Sequence, residues 1–171
     1  MALTATLTAR LEATQTGPND FADNFAPVVA KVLATLDGTT ANKADLIFAD
    51  QRAVTTGAND DIDLAGTLTD AFGVTLTFVE LVGILIINAP ITGSANTTDL
   101  TIGLGSNPFL GFLGGTTPTI GPIKPGGAFM IFAGNAAGIG AVGAGSSDIL
   151  RVANSSGATA NYQIVIIGRS A

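Results

Sequence analysis

The sequence predicts an all-β protein: a β-sandwich or jelly-roll-like domain of about eight to ten short strands, with an extended N-terminal arm. Two observations predict it. Short segments alternate apolar with polar residues at a period of two. Between them fall clusters of Gly, Pro, Asn and Asp, which punctuate strands with turns. The arm is expected over residues 1–40 and the sandwich over 41–171, with the boundary near residues 37–45.

Taken in order, Ala2 to Ala9 (ALTATLTA) alternates small or apolar residues with Thr and reads as a strand. Nothing nearby in sequence is expected to pair with it, so it should dock on the body or on another chain. Gly17 to Asp20 breaks the chain. Phe21 to Phe25 fits the start of a short helix, capped by Asn19 or Asp20 and stopped by Pro27. In Val28 to Leu36, β-branched content favours a strand, while Ala and Lys remain compatible with a helix. Further strands are expected at Leu46 to Val54, Asp61 to Leu68 and Val74 to Phe78. Leu81 to Asn88 is an unbroken apolar run, the pattern of a strand buried on both faces. Leu100 to Leu104, Ala128 to Ala133, Ser147 to Ala153 and Tyr162 to Ile167 complete the set. Asn107 to Thr119 and Pro122 to Gly127 read as Gly/Pro-rich loop and turn.

Composition narrows the function. The chain of 171 residues is 47% hydrophobic and only 12% charged, about half the charge of an average soluble domain. A surface so poor in charge suits burial against neighbours. Residues 1–80 hold four bases against eleven acids, and residues 81–171 three bases against two acids. No Lys/Arg cluster exists to meet phosphates, so nucleic-acid binding is not expected. Cys, His and Trp are absent, which removes disulfides, thiol nucleophiles and the commonest general base. No catalytic residue, metal site or cofactor is therefore expected. The opening MALTATLTARLEA lacks a basic start followed by a continuous apolar stretch, so no signal peptide is expected. Of the longest apolar runs, Leu81 to Ile87 is too short to span a bilayer, and Gly126 to Gly145 is mostly Gly and Ala and contains Asn135. No membrane span is expected.

Several motifs have competing readings. Gly138-Ile-Gly-Ala-Val-Gly143 has the letters of a dinucleotide-binding loop, but a turn and a strand follow it where a helix is required. A tightly apposed glycine loop is the expected alternative. Asp60, Asp61 and Asp63 form a solvated acidic edge or, less in keeping with calcium-loop spacing, a cation site. Glu80 interrupts an apolar strand and is expected to pair with Arg52 or Arg151. Ser146-Ser147-Asp148 and Ser155-Ser156 lack a base partner. Asn96-Thr97-Thr98 and Asn154-Ser155-Ser156 match a glycosylation sequon, which matters only on secretion. Phe109, Leu110, Phe112 and Leu113, in a Gly-rich loop, either fill the core or anchor a neighbouring subunit. With Leu3, Thr4 and Leu7 of the arm, they are the candidate interface residues.

DLIFADQR (Asp45 to Arg52), DLAGTLTDAFG (Asp63 to Gly73), VTLTFVELVGILI (Val74 to Ile86), IKPGGAFMIFA (Ile123 to Ala133) and DILRVANSSGATANYQIVIIG (Asp148 to Gly168) resemble a group of small proteins encoded beside the major capsid protein in tailed bacteriophages. The resemblance covers about three quarters of the chain and is a pattern of strand sequences, not a catalytic signature. It implies a virion structural protein: a head decoration or cement protein on the capsid exterior. Its implied partners are the major capsid protein and copies of itself, as a homo-trimer or homo-dimer. The alternative is a tail- or fibre-associated module that binds a host surface. A single Tyr and no Trp count against sugar stacking there.

Overall fold

The computed structural model describes residues 2–12, 15–16, 24–25, 28–114 and 118–171. Among them every regular element is a strand. In chain order these are β1 (Ala5–Glu12), β2 (Gln15–Thr16), β3 (Asn24–Phe25), β4 (Val28–Thr35), β5 (Leu46–Val54), β6 (Asn59–Asp63) and β7 (Glu80–Ile87). They continue with β8 (Leu100–Gly103), β9 (Thr119–Ile123), β10 (Ala128–Phe132), β11 (Gly140–Ala141), β12 (Ile149–Asn154) and β13 (Ala160–Arg169). The large sheet runs β10-β7-β13-β5, with β11 also on β7, and the small sheet runs β6-β12-β8-β9. All pairings within them are antiparallel. The expected β-sandwich is the observed fold.

Strand β13 shows why the layers form. Ala160, Tyr162, Ile164 and Ile166 alternate onto one face and are buried, as a period of two requires. They pack in a single core with Ile84 and Ile86 of β7, and with Leu100, Ile102, Leu150 and Val152 of the small sheet. Ile167, next to Ile166, faces the opposite side by the same alternation. There it joins Leu7, Ala44 and Val82 in a second, smaller cluster.

That second cluster corrects the expectation for the arm. Strand β1 does have a partner close in sequence: it pairs antiparallel with β4, Leu7 facing Leu33 and Ala5 facing Thr35. The resulting hairpin lies on the outer face of the large sheet. Leu7 is buried over Gly83, where a Cβ would approach Leu7 Cδ2 to 2.5 Å. Glycine at 83 thus makes the socket that admits the arm. The apolar run of β7 is buried on both faces, as its sequence predicts, because the hairpin covers the second one.

Other differences are local. The strand expected over Asp61 to Leu68 stops at Asp63, whose Oδ1 accepts from Ala65 N–H at 2.8 Å and turns the chain. Val74 to Phe78 forms no strand, only a bridge between Thr69 and Thr75, although Leu76 and Phe78 still reach the core. Thr119–Ile123 is a strand where Gly121-Pro122 suggested a turn; β9 lies at the sheet edge, where a missing N–H is tolerated. Asn24–Phe25 pairs with Gln15–Thr16 as a strand, not a helix. The rest of that expected helix, and the break at Gly17 to Asp20, lie outside the described residues.

Candidate functional site

Polar clusters come first, since they would carry any chemistry. Asp60 of β6 accepts from Arg52 Nε (2.5 Å) and Nη2 (2.8 Å) of β5 and from the Tyr162 hydroxyl (2.8 Å) of β13. This triad joins the edge of one sheet to the other. Its hydrogen bond to Asp60 holds the Arg52 guanidinium further into its charged form than usual, against the cost of its partial burial. Burial first, then the charge of Asp60, pushes the Tyr162 hydroxyl well above its ordinary 10.0. Next to it, Asp61 takes Arg151 Nε at 2.5 Å and Nη2 at 2.7 Å. The hydrogen bond from Arg151 lowers the Asp61 carboxyl below its usual 3.8. The acidic edge is therefore largely neutralised by arginines and not merely solvated. Among the described residues, no group of three or more acids converges as a metal site would require.

Glu80 meets neither Arg52 nor Arg151. Its partner is Arg169, at 2.6 Å. Arg169 is fully buried and also donates to the carbonyls of Lys43 (3.0 Å), Asn135 (2.9 Å) and Ala136 (2.9 Å). One guanidinium so pins the end of β13 to β7, to the turn after the hairpin and to the glycine loop. The sequence signal was a lone charge closing an apolar strand. The glycine loop is packed backbone: a Cβ on Gly138 would strike the Leu81 carbonyl, and one on Gly140 would strike Gly111 Cα. Both positions also have positive φ. Positions 138 and 140 are thus closed against neighbouring backbone. Asn96 and Asn154 spend their amide groups on buried structural bonds, Asn96 to Asn88 and Asn161 and Asn154 to Val54, Thr55 and Ala158.

The candidate interface residues divide. Phe109 and Leu113 are buried and Phe112 is partly buried, its ring 5.8 Å from that of Phe109 and 5.5 Å from that of Phe129. These three pack within this chain, as the core-filling reading has it, and Leu110 alone of the group is exposed. Leu7 is likewise covered within the chain, and Leu3 packs partly beside it. Thr4 is exposed on the opposite face of the hairpin.

What the surface offers is apolar. Leu3, just before β1, and Ala5 and Leu7 on it face the body, but the next positions in that row, Ala9 and Leu11, are exposed, Leu11 at 61%. Val32 of β4, opposite Thr8 and so on the other face of the hairpin, and Leu36 just after β4 are exposed at 54% and 64%. A second apolar region is a groove of about 370 Å³ between the start of β5 and the loop after it in space, lined by Leu3, Leu46, Ile47, Phe72, Val74 and Leu76. Phe72 is 72% exposed on its rim. No family model matches the chain, and no curated protein or solved structure matches it either.

Proposed function

We propose that this chain is a bacteriophage virion structural protein, a capsid decoration or cement protein that binds the outside of the major capsid lattice. The observation that carries the reading is the N-terminal hairpin. Its base is seated on the sandwich through Leu7, while Ala9 and Leu11, further along the same face of β1, are open. A row of apolar side chains continuing past its own socket is a surface prepared for another protein. The five segments that resemble phage capsid-associated proteins, together with a 12% charged composition, point the same way. A decoration protein needs many repeated contacts and no reactive group, and a standard interface of about 1,600 Å² supplies ample gross apolar energy before association costs.

The test is co-sedimentation of the purified protein with heads assembled from the neighbouring major capsid protein. Leu11→Asp should leave the sandwich folded, by circular dichroism and thermal melt, and abolish co-sedimentation. A wild-type protein that ignores heads and instead binds host cells would replace this reading with the tail- or fibre-linked one.

A further inference from the structure

Among the described residues β5, β10, β6 and β9 end the two sheets, with the two-residue β11 also on β7, and three of those four ends are poorly suited to self-pairing. β6 is only five residues long, and its Asp60 and Asp61 are already held by Arg52 and Arg151 of the same chain. β9 contains Pro122, which has no N–H to give. β10 is five residues without a charge to fix a register. The fourth edge is β5, nine residues long and paired only through β13 on its other side.

Along β5, Phe48, Asp50, Arg52 and Val54 alternate with Ile47, Ala49, Gln51 and Ala53. Asp50 and Arg52 share a face; Arg52 holds Asp60 through Nε and Nη2 and turns only Nη1 to Asp50, at 3.3 Å, so Nη1 is the group left to meet a partner's Asp50. Suppose two copies of β5 meet antiparallel about a two-fold axis through Gln51. Asp50 then faces the partner's Arg52, and Arg52 the partner's Asp50. Phe48 faces the partner's Val54, and Ala49 the partner's Ala53. Like meets like in polarity and sign meets opposite sign, twice, by symmetry. Sliding the strands by two residues sets Asp50 against Asp50 or Arg52 against Arg52. In-register parallel pairing does the same. A slip by one residue turns the inner face outward. Charges pointing inward on an edge strand ordinarily discourage pairing; here their order disfavours the two-residue slips and matches both charge pairs in this antiparallel register.

The groove agrees with that register. Ile47 would lie opposite the partner's Thr55 and Leu46 opposite the partner's Thr56. The partner's exposed turn Thr55 to Gly57 would therefore be carried to the groove that Leu46 and Ile47 line.

From the self-complementary order of Asp50 and Arg52 on an unpaired nine-residue edge, we infer that β5 is the homodimer interface, joining two large sheets into one continuous sheet. This deepens the assembly reading above, and its test uses purified protein without heads, so either can fail while the other stands.

The full chain should sediment with twice its mass of 17.0 kDa as concentration rises from low to high micromolar. Because the chain has no Cys, Gln51→Cys places a lone thiol on the axis. Opposed antiparallel residues have Cα atoms about 4.5–5.5 Å apart, within disulfide reach of about 4.4–6.8 Å. Mild oxidation should yield covalent dimer for Gln51→Cys but not for Ser156→Cys, in an exposed turn. Asp50→Arg should weaken the dimer by about tenfold or more. Mixing Asp50→Arg with Arg52→Asp should restore it as a heterodimer; if Arg52→Asp does not fold, the crosslink and Asp50→Arg decide alone. A monomer at all concentrations, a trimer, a dimer indifferent to Asp50→Arg, or no crosslink through Gln51→Cys would each overturn the inference.

Discussion

Replacing Arg169 by Met tests how the arm, the glycine loop and the sandwich are held as one body. The side chain is fully buried and makes four hydrogen bonds, to Glu80, Lys43, Asn135 and Ala136. Methionine keeps the length and apolar stem but donates nothing. Three backbone carbonyls and one carboxylate then lose their donor. Removing one partner of a buried ion pair costs about 3–5 kcal/mol, most of it the penalty on the group left behind. Glu80 is 24% exposed at its side chain, so water takes over part of its loss. Glu80→Gln should accordingly cost less, about 1.5 kcal/mol at the low end for a bond to a charged group. With a urea slope of about 2 kcal/mol/M for a domain of this size, the Arg169→Met midpoint should fall by roughly 2 M. Circular dichroism of the β signal during urea titration measures it. A midpoint shift below about 0.5 M, or a Glu80→Gln effect larger than that of Arg169→Met, would refute the reasoning.

Leu7→Ala should empty the socket over Gly83 and cost about 2–4 kcal/mol locally; hydrogen exchange should rise in β1 and β4 while β12 and β13 keep their protection. Tyr162→Phe removes one hydrogen bond to Asp60 and should cost about 1 kcal/mol at neutral pH. The alkaline behaviour has a definite sign. The folded state holds the Tyr162 hydroxyl above its unfolded 10.0, so its contribution is complete below that value and is lost as pH rises past it. Wild type should therefore lose melting temperature above pH 10.0 more steeply than Tyr162→Phe. Asp61 has the opposite sign: its carboxyl is lowered by Arg151, so its small, largely exposed contribution should disappear on acidification below about 3.8, and Asp61→Asn should flatten that part of the acid limb.

Much of the sandwich was legible because its strands satisfy the same physical demand at each position. Leu46 to Val54, Leu81 to Ile87 and the alternating stretch after Ala160 carry their burial in their residues. Val74 to Phe78 carries an alternating pattern too, but it places Leu76 and Phe78 in the core from an irregular segment; periodicity reports which side chains go inside, not whether the backbone finds a partner strand. β9 was hidden because Gly121-Pro122 signals a turn, and only its place at an edge excuses the proline. The arm was misread for a different reason. Its partner β4 is separated by residues 13–27, and nothing in ALTATLTA says which later strand it meets. Gly83, which decides where Leu7 sits, gives no sign in sequence that it is a socket. The aromatic loop illustrates the limit for sites: Phe109 and Phe112 flanked by glycines have the same letters whether they fill a core or a neighbour, and only the contact with Phe129 decides it. The partner of Glu80 was missed because Arg169 lies 89 residues away, joined through the β7–β13 ladder.

The most direct measurement is an electron-microscopy reconstruction of heads bearing this protein. Sandwich-shaped density on the outer capsid surface, with Leu11 of the hairpin against the major capsid protein, is the expected result. Bare heads, with the protein found on the tail or free in solution, would contradict it.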